Sequence, residues 1–199
     1  MIKLGITGGI GSGKSYLSRL LKEQDIPVYD TDQEAKRLMI TDGIIRKSLI
    51  NLLGTSVYQN DTLNKTLLSE YIFSNEDHTR RINAIVHPRV KSDFLQWASN
   101  LSQKGKKIIA LESAILFESG FDNAVDYTIT VSAPINLRIQ RTIQRDQTTE
   151  VQVRRRIQAQ MTEEERNKRA NFIIINDEKH DLYSQMSNIL SLIKRKHAE

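Results

Sequence analysis

Gly8-Gly9-Ile10-Gly11-Ser12-Gly13-Lys14-Ser15 is the stretch that decides the fold. It fits the pattern G-x-x-x-x-G-K-[ST] of a phosphate-binding loop, and the apolar run from Ile2 to Thr7 precedes it as a buried strand would. Four glycines in six residues let the backbone fold tightly, so that successive N–H groups face one point. A helix that opens near Lys14 adds its free N–H groups and the positive end of its dipole. The stretch predicts a cradle for a triphosphate.

Two side chains of this stretch carry chemistry. Lys14 would reach the β- and γ-phosphates of a nucleotide, and the Ser15 hydroxyl would ligate Mg²⁺. The alternative is a glycine-rich turn between a strand and a helix that binds nothing. The presence of both Lys14 and Ser15 at the required positions disfavours that alternative.

The composition predicts a soluble, cytoplasmic protein. Its 199 residues, 39% hydrophobic and 27% charged, suit one domain with small insertions. No apolar run approaches the roughly 18 residues that cross a bilayer, and the first strand begins too early to leave room for a signal peptide. The absence of cysteine excludes disulfides and thiolate metal sites, while the net charge of +5 favours anionic ligands. We expect no membrane partner and a monomer or weak homo-oligomer.

The order of strand, loop, helix and strand at the start predicts an α/β fold with a parallel central sheet. The expected strands are Ile2 to Thr7, Ile26 to Tyr29, Lys107 to Glu112, Tyr127 to Val131 and Phe172 to Asn176. The expected parts are a nucleotide-binding core (1–32, 101–136 and 168–199), a helical insertion (33–100) and a lid (137–167). Apolar residues at helical spacing predict an all-helical insertion, with Pro88 opening its last helix.

Polar side chains follow the predicted strands at their carboxyl ends, where open parallel sheets bind ligands. Asp30 and Asp32 follow the second strand, Glu112 ends the third, and Asn176 ends the fifth. Asp32 is the candidate carboxylate to accept the proton of an attacking alcohol, and its alternative role is the N-cap of the next helix. Asp30 is expected to be structural or to orient a Mg²⁺ water. Glu112 would reach the metal through water, or would be an exposed acid at a strand end.

Arg138, Arg141 and Arg145 lie at i, i+3 and i+7, on one face of a predicted helix. On a mobile flap they could close over the triphosphate and exclude water. The alternatives are a solvated helix face or a nucleic-acid surface, although aromatic residues that could stack bases are missing between them.

Together these residues resemble the dephospho-coenzyme A kinase family over essentially the whole chain. The matching stretches are Gly5 to Ser15, Val28 to Asp32 with Ala35 to Arg37, Ile85 to Pro88, Leu116 to Glu118, Arg156-Ile157 with Gln160, and Ala170 to Asn176. The chain departs from the family pattern at Glu112-Ser113-Ala114 (usually Asp-x-Pro), at Asn64-Lys65 (commonly Asp-Arg), at Asn171 (Asp) and at Tyr16 (Thr).

The resemblance implies a three-layer P-loop kinase that uses ATP and Mg²⁺ to phosphorylate the ribose 3′-hydroxyl of dephospho-CoA, the last step of coenzyme A synthesis. It implies that Asp32 is the general base, that Lys14 and Arg141 contact the transferring phosphate, and that the insertion cradles the acceptor. The implied metal ligands are Ser15 and Glu112. The implied nucleotide contacts are Gly9, Ile10, Gly11, Ser12, Gly13, Lys14, Ser15, Tyr16, Arg141 and Asn176.

Two other functions stay open at this point. One is a different nucleoside or nucleotide kinase with the same loop and lid. The other is a basic ATP-binding module that acts on nucleic acid, for which 29 basic residues against 24 acidic residues, without a basic run, give little support. We expect no nucleic-acid partner.

Overall fold

A computed structural model describes residues 1–197 and contains a five-stranded parallel sheet with helices around it. The strands are β1 (Ile2–Thr7), β2 (Val28–Asp30), β3 (Tyr58–Gln59), β4 (Thr62–Leu63), β5 (Ile108–Glu112), β6 (Tyr127–Ser132) and β7 (Phe172–Ile175). The helices are α1 (Lys14–Glu23), α2 (Thr31–Thr41), α3 (Gly43–Leu53), α4 (Lys65–Ser74), α5 (Glu76–Gln103), α6 (Ile135–Asp146), α7 (Glu150–Gln158), α8 (Glu163–Arg169) and α9 (Leu182–Lys196). The predicted fold class is confirmed.

The chain forms two compact units. The core unit comprises Met1–Tyr29 and the chain from Ser102 onward, and the insertion unit comprises Asp30–Leu101. In the described chain, no helix combines the length and the apolar character that crossing a membrane requires.

The strands of the main sheet follow the order β2-β5-β1-β6-β7, with β1 at the centre. Ile6 of β1 is level with Glu112 of β5, and Thr7 of β1 is level with Thr130 of β6. Because these strands run parallel, they end close together at one edge of the sheet. The phosphate-binding loop (Gly8–Ser15) leaves the sheet at that edge.

The core unit is stabilised by apolar side chains packed against the sheet. Leu17 and Leu21 of α1 and Met186 and Ile193 of α9 are fully buried in the same cluster as the apolar residues of β1. Their spacing of four and seven residues places them on one face of each helix, which the sheet covers. This packing fixes the position of α1, and therefore of its N-terminus, which directly follows the loop.

The insertion unit is not all-helical, and that prediction is wrong. Strands β3 and β4 form a small antiparallel hairpin in which Tyr58 is level with Leu63. The turn residues Asn60 and Asp61 both have left-handed backbones, with φ of 46° and 63°, as two-residue hairpin turns require. The sequence marks this turn, but two-residue strands are too short to show the alternation that predicts a hairpin.

Pro88 does not open a helix, because α5 runs through it from Glu76 to Gln103. Proline removes one backbone hydrogen bond inside a helix and normally ends it. Here buried residues at four-residue spacing continue on both sides, at Ile82, Val86, Val90, Phe94 and Ala98. The burial of this stripe stabilises the helix across the proline.

Candidate active site

The phosphate-binding loop keeps its shape through glycines in conformations that other residues avoid. Gly13 has a φ of 102°, and a Cβ atom there would lie 2.1 Å from Nδ2 of Asn176. That amide nitrogen donates to the Ser12 carbonyl oxygen at 2.8 Å. Asn176 therefore packs directly onto the loop, in a space that only glycine leaves open.

Two alternate residues of the loop have N–H groups with protein partners, one outside the loop and one within it. Ile10 N–H donates to Oε1 of Gln160 at 2.9 Å, and Ser12 N–H donates to the Gly9 carbonyl oxygen at 3.1 Å. The N–H groups of Gly11 and Gly13 donate to no protein acceptor within residues 1–197. Backbone donors arranged in this way can bind the oxygen atoms of a phosphate.

The Lys14 and Ser15 side chains each form a hydrogen bond near the loop. Nζ of Lys14 donates to the Gly8 carbonyl oxygen at 2.9 Å and lies 3.5 Å from that of Gly9. Oγ of Ser15 donates to Oε1 of Glu112 at 2.9 Å. Glu112 is only 8% exposed. The alternative interpretation of Glu112 as an exposed acid at a strand end is therefore wrong.

Ser15 and Glu112 together offer a hydroxyl and a carboxylate, the oxygen ligands that suit Mg²⁺. No group of three or more His, Cys, Asp or Glu side chains that could hold a metal ion occurs among residues 1–197. Mg²⁺ commonly takes one or two protein ligands and completes its shell with substrate phosphates and water. The donor pair fits that mode of binding.

Arg141 and Asn176 come together next to the loop. Nη1 of Arg141 donates to the Asn176 carbonyl oxygen at 3.2 Å, and Nη2 donates to Glu178 at the same distance. Both side chains are partly accessible. The fold thus joins two residues that lie 35 positions apart in the sequence.

Arg138 does not share the environment of the other two arginines on α6, and the alternative of a solvated helix face is wrong for this residue. It is 4% exposed, its Nε donates to the Ile10 carbonyl oxygen at 3.0 Å, and its Nη1 donates to Glu163 at 3.0 Å. Arg145, in contrast, is an exposed partner of Asp146. Spacing on a helix predicts a shared face, but it does not reveal what covers part of that face.

Asp30, not Asp32, caps α2. Its Oδ1 accepts hydrogen bonds from the N–H groups of Asp32 and Gln33, both at 3.0 Å. Asp32 therefore lies in the first turn of the helix, with an exposed side chain. The N-cap alternative for Asp32 is wrong, because the preceding aspartate at the strand end performs that role.

Within the insertion unit, the Asp32 carboxylate interacts electrostatically with His87 of α5. Burial lowers the pKa of the His87 imidazole, and the Asp32 carboxylate acts in the opposite direction. His87 lies inside α5 and does not shape a helix start.

A cavity of about 580 Å³ lies within the insertion unit. Its apolar wall comprises Met39, Ile40, Leu63, Leu68 and Ile72. Lys36, Arg37 and Lys65 also line it. A ligand with an apolar part and an anionic group fits such a lining.

The sequence did not reveal the polar residues that support the loop from behind, apart from Gln160 as a matching position. Glu163 and Ser132 join Arg138 in one hydrogen-bonded group, yet Glu163 stands in a charged segment typical of a solvated surface. The sequence did contain one signal for the position of Glu163. Thr162 and Glu165 form a capping box that marks the start of α8, where Glu163 is the first residue.

Comparisons of sequence and of structure with known proteins agree with one another. A family model described as dephospho-CoA kinase matches residues 2–181. A dephospho-CoA kinase of Bacteroides fragilis is 46% identical over 195 residues, which cover 98% of this chain and 94% of that relative. A solved structure from Thermus thermophilus aligns with a TM-score of 0.80 and 30% identity, covering 98% of this chain and 97% of that one. The solved dephospho-CoA kinase of Campylobacter jejuni shares the fold, with a TM-score of 0.71, 21% identity and 98% coverage of both chains.

Proposed function

The chain belongs to the dephospho-CoA kinase family, and we propose that it transfers the γ-phosphoryl group of ATP to the ribose 3′-hydroxyl of dephospho-CoA. The products are coenzyme A and ADP. This is the last step of coenzyme A biosynthesis, and we place it in the cytoplasm. We propose a monomer or weak homo-oligomer that needs no nucleic-acid or membrane partner.

The observation that carries this proposal is the pairing of Ser15 with Glu112 at 2.9 Å beside the phosphate-binding loop. It puts a buried carboxylate next to the hydroxyl that the loop motif assigns to a metal ion. When bound there, Mg²⁺ would neutralise charge on the β- and γ-phosphates. Ser15 and Glu112 would hold the ion, Glu112 through water or directly.

The remaining loop residues bind the donor nucleotide in this proposal. Lys14 exchanges its carbonyl partners for the β- and γ-phosphates, which are stronger acceptors because they are charged. Gly9, Ile10, Gly11, Ser12 and Gly13 shape the backbone cradle, and Tyr16 follows it. Arg141 contacts phosphate from the lid, and Asn176 lies by the adenine.

Asp32 is the general base in this proposal, since its carboxylate can accept the proton of the 3′-hydroxyl as the oxygen attacks phosphorus. Helix α2 supports the assignment through its spacing. Lys36 and Ile40 follow Asp32 at i+4 and i+8, on one helix face, and both line the cavity of the insertion unit. Each step of four residues advances about 6 Å, so an acceptor along this face would meet an acid, a cation and an apolar wall in turn.

The acceptor preference of the purified protein tests this function. With Mg-ATP, we expect ADP release with dephospho-CoA to exceed that with adenosine or shikimate by at least about a hundredfold in kcat/KM. An equal or higher value with a nucleoside would assign the chain to another kinase class. Tight, salt-sensitive binding of RNA or DNA without turnover would support the nucleic-acid module instead.

The metal assignment predicts a specific effect of Glu112→Gln. Removing the negative charge should raise the half-saturating Mg²⁺ concentration by about tenfold, because a neutral amide is a weaker ligand for a hard cation. The control is Glu164→Gln, which changes an exposed glutamate on α8. An unchanged Mg²⁺ dependence in Glu112→Gln would contradict the assignment.

A further inference from the structure

Ile10, at the tip of the phosphate-binding loop, is held by both of its backbone polar groups. Its N–H donates to Oε1 of Gln160 at 2.9 Å, and its carbonyl oxygen accepts from Nε of Arg138 at 3.0 Å. The two partners lie 150 and 128 residues away in the sequence. A loop tip normally satisfies such groups with water, so two protein partners restrict its motion.

Arg138 is itself held in place. Its Nη1 donates to one carboxylate oxygen of Glu163 at 3.0 Å, and the other oxygen of that carboxylate accepts from the Ser132 hydroxyl. A guanidinium that is 4% exposed is costly to bury unless it is paired and hydrogen-bonded in this way. The chain keeps this buried charge at the back of the loop.

The guanidinium also packs closely on the loop backbone. A Cβ atom at Gly9 would lie 2.1 Å from Nη2 of Arg138. The glycine at position 9 thus makes room for the arginine. Arg138 acts on the loop through contact as well as through its hydrogen bond to Ile10.

These ties orient the loop donors that remain available. Ile10 and Ser12 are bound to the scaffold, whereas the N–H groups of Gly11 and Gly13 have no protein acceptor in the described chain. Fixing Ile10 and Ser12, whose carbonyl oxygen accepts from Asn176, restricts Gly11 between them and Gly13 directly after Ser12. Donors that are already aimed cost little to order when an anion binds.

We propose that Arg138, Gln160 and Glu163 form a clamp that positions the phosphate-binding loop for the donor nucleotide. The three are positioning residues, because they act through the backbone of Ile10 and Gly9. Gln160 lies between α7 and α8, so the clamp also links the predicted lid to the loop. The inference rests on the proposed function only where its test uses the kinase reaction.

The test compares Gln160→Met with the control Gln158→Met. Methionine matches glutamine in length, but its thioether sulfur is a much weaker acceptor for the Ile10 N–H than an amide oxygen. Gln158 is an exposed glutamine at the end of α7. ADP binding is measured by calorimetry without any acceptor, so its outcome does not depend on which alcohol is phosphorylated.

We expect Gln160→Met to weaken ADP binding and to raise KM for ATP by about tenfold, with kcat and KM for the acceptor little changed. Gln158→Met should match the unmodified protein. Arg138→Lys keeps the charge but loses the forked donor geometry, and should weaken ADP binding in the same way. ADP affinity in Gln160→Met within about threefold of the control would overturn the proposal.

Discussion

Two aspartates that are two residues apart have different environments at the start of α2. Asp30 accepts two backbone hydrogen bonds and is committed to the helix cap. Asp32 is released from that role, since the cap is already provided. The sequence could not decide between the two residues, because aspartate is a favoured N-cap residue at either position.

Replacing Asp32 with asparagine should abolish most turnover while leaving ADP binding intact. The amide cannot accept the proton of the attacking hydroxyl, and loss of a general base costs about a hundredfold to ten-thousandfold in kcat. Steady-state kinetics and ADP calorimetry measure the two effects separately.

Asp30→Asn is the matched control for that variant. Asparagine caps helices as well as aspartate does, so stability and turnover should both be retained. Full activity in Asp32→Asn would show that Asp32 is not the base. A loss in Asp30→Asn as large as in Asp32→Asn would assign the chemistry to Asp30.

His87 predicts a pH effect on stability. Burial lowers its pKa below the ordinary value of 6.5, so the folded state binds fewer protons than the unfolded state. Stability is therefore fully present above about pH 6.5 and is lost as pH falls through the folded-state pKa. Urea unfolding is measured at pH 5.5 and pH 7.5, which lie about one unit either side of that value. The free energy of unfolding should differ more between the two pH values in the unmodified protein than in His87→Gln. Equal differences would contradict the burial effect.

At the scale of elements, the strands of the main sheet could be predicted and their supporting contacts could not. β1 is predicted to the residue, since a buried parallel strand is a continuous apolar run. The burial of Arg138 depends on partners 128 and 25 residues away in the sequence, Ile10 and Glu163. Asp30 has local partners, but Asp32 is an equally suitable N-cap residue, so the sequence does not choose between them. Pro88 was misplaced because tertiary burial of α5 outweighs the local preference of proline.

Asn171 illustrates how one side chain can join two strands. It precedes β7, and its Oδ1 accepts from the N–H and the hydroxyl of Thr128 in β6 at 2.8 and 3.0 Å. An aspartate, which is usual at this position in the family, offers the same acceptor. Its replacement by asparagine therefore preserves the contact.

We expect Asn171→Asp to change the free energy of unfolding by less than about 0.5 kcal/mol. Asn171→Ala should destabilise the protein by about 1–3 kcal/mol, because it leaves buried polar groups of Thr128 without their acceptor. Urea denaturation of both variants measures this. An aspartate as destabilising as alanine would show that the amide group itself is required.

At the scale of the molecule, the candidate site residues belong to two units. The core unit holds the phosphate-binding loop, Glu112, Arg141 and Asn176, and the insertion unit holds Asp32 and its own cavity. The sequence predicted the loop because its motif is local. The role of Asp32 toward an alcohol bound to the insertion unit stays a prediction. It depends on where a ligand binds and on residues that are far apart in the sequence.

The position of the transferred phosphate tests this account most directly. The purified protein is incubated with Mg-ATP and dephospho-CoA, and the product is analysed by mass spectrometry and phosphorus NMR. We predict one new phosphomonoester on the ribose 3′-oxygen, formed in equal amount to ADP. Release of inorganic phosphate alone, or a phosphate at another position, would contradict it.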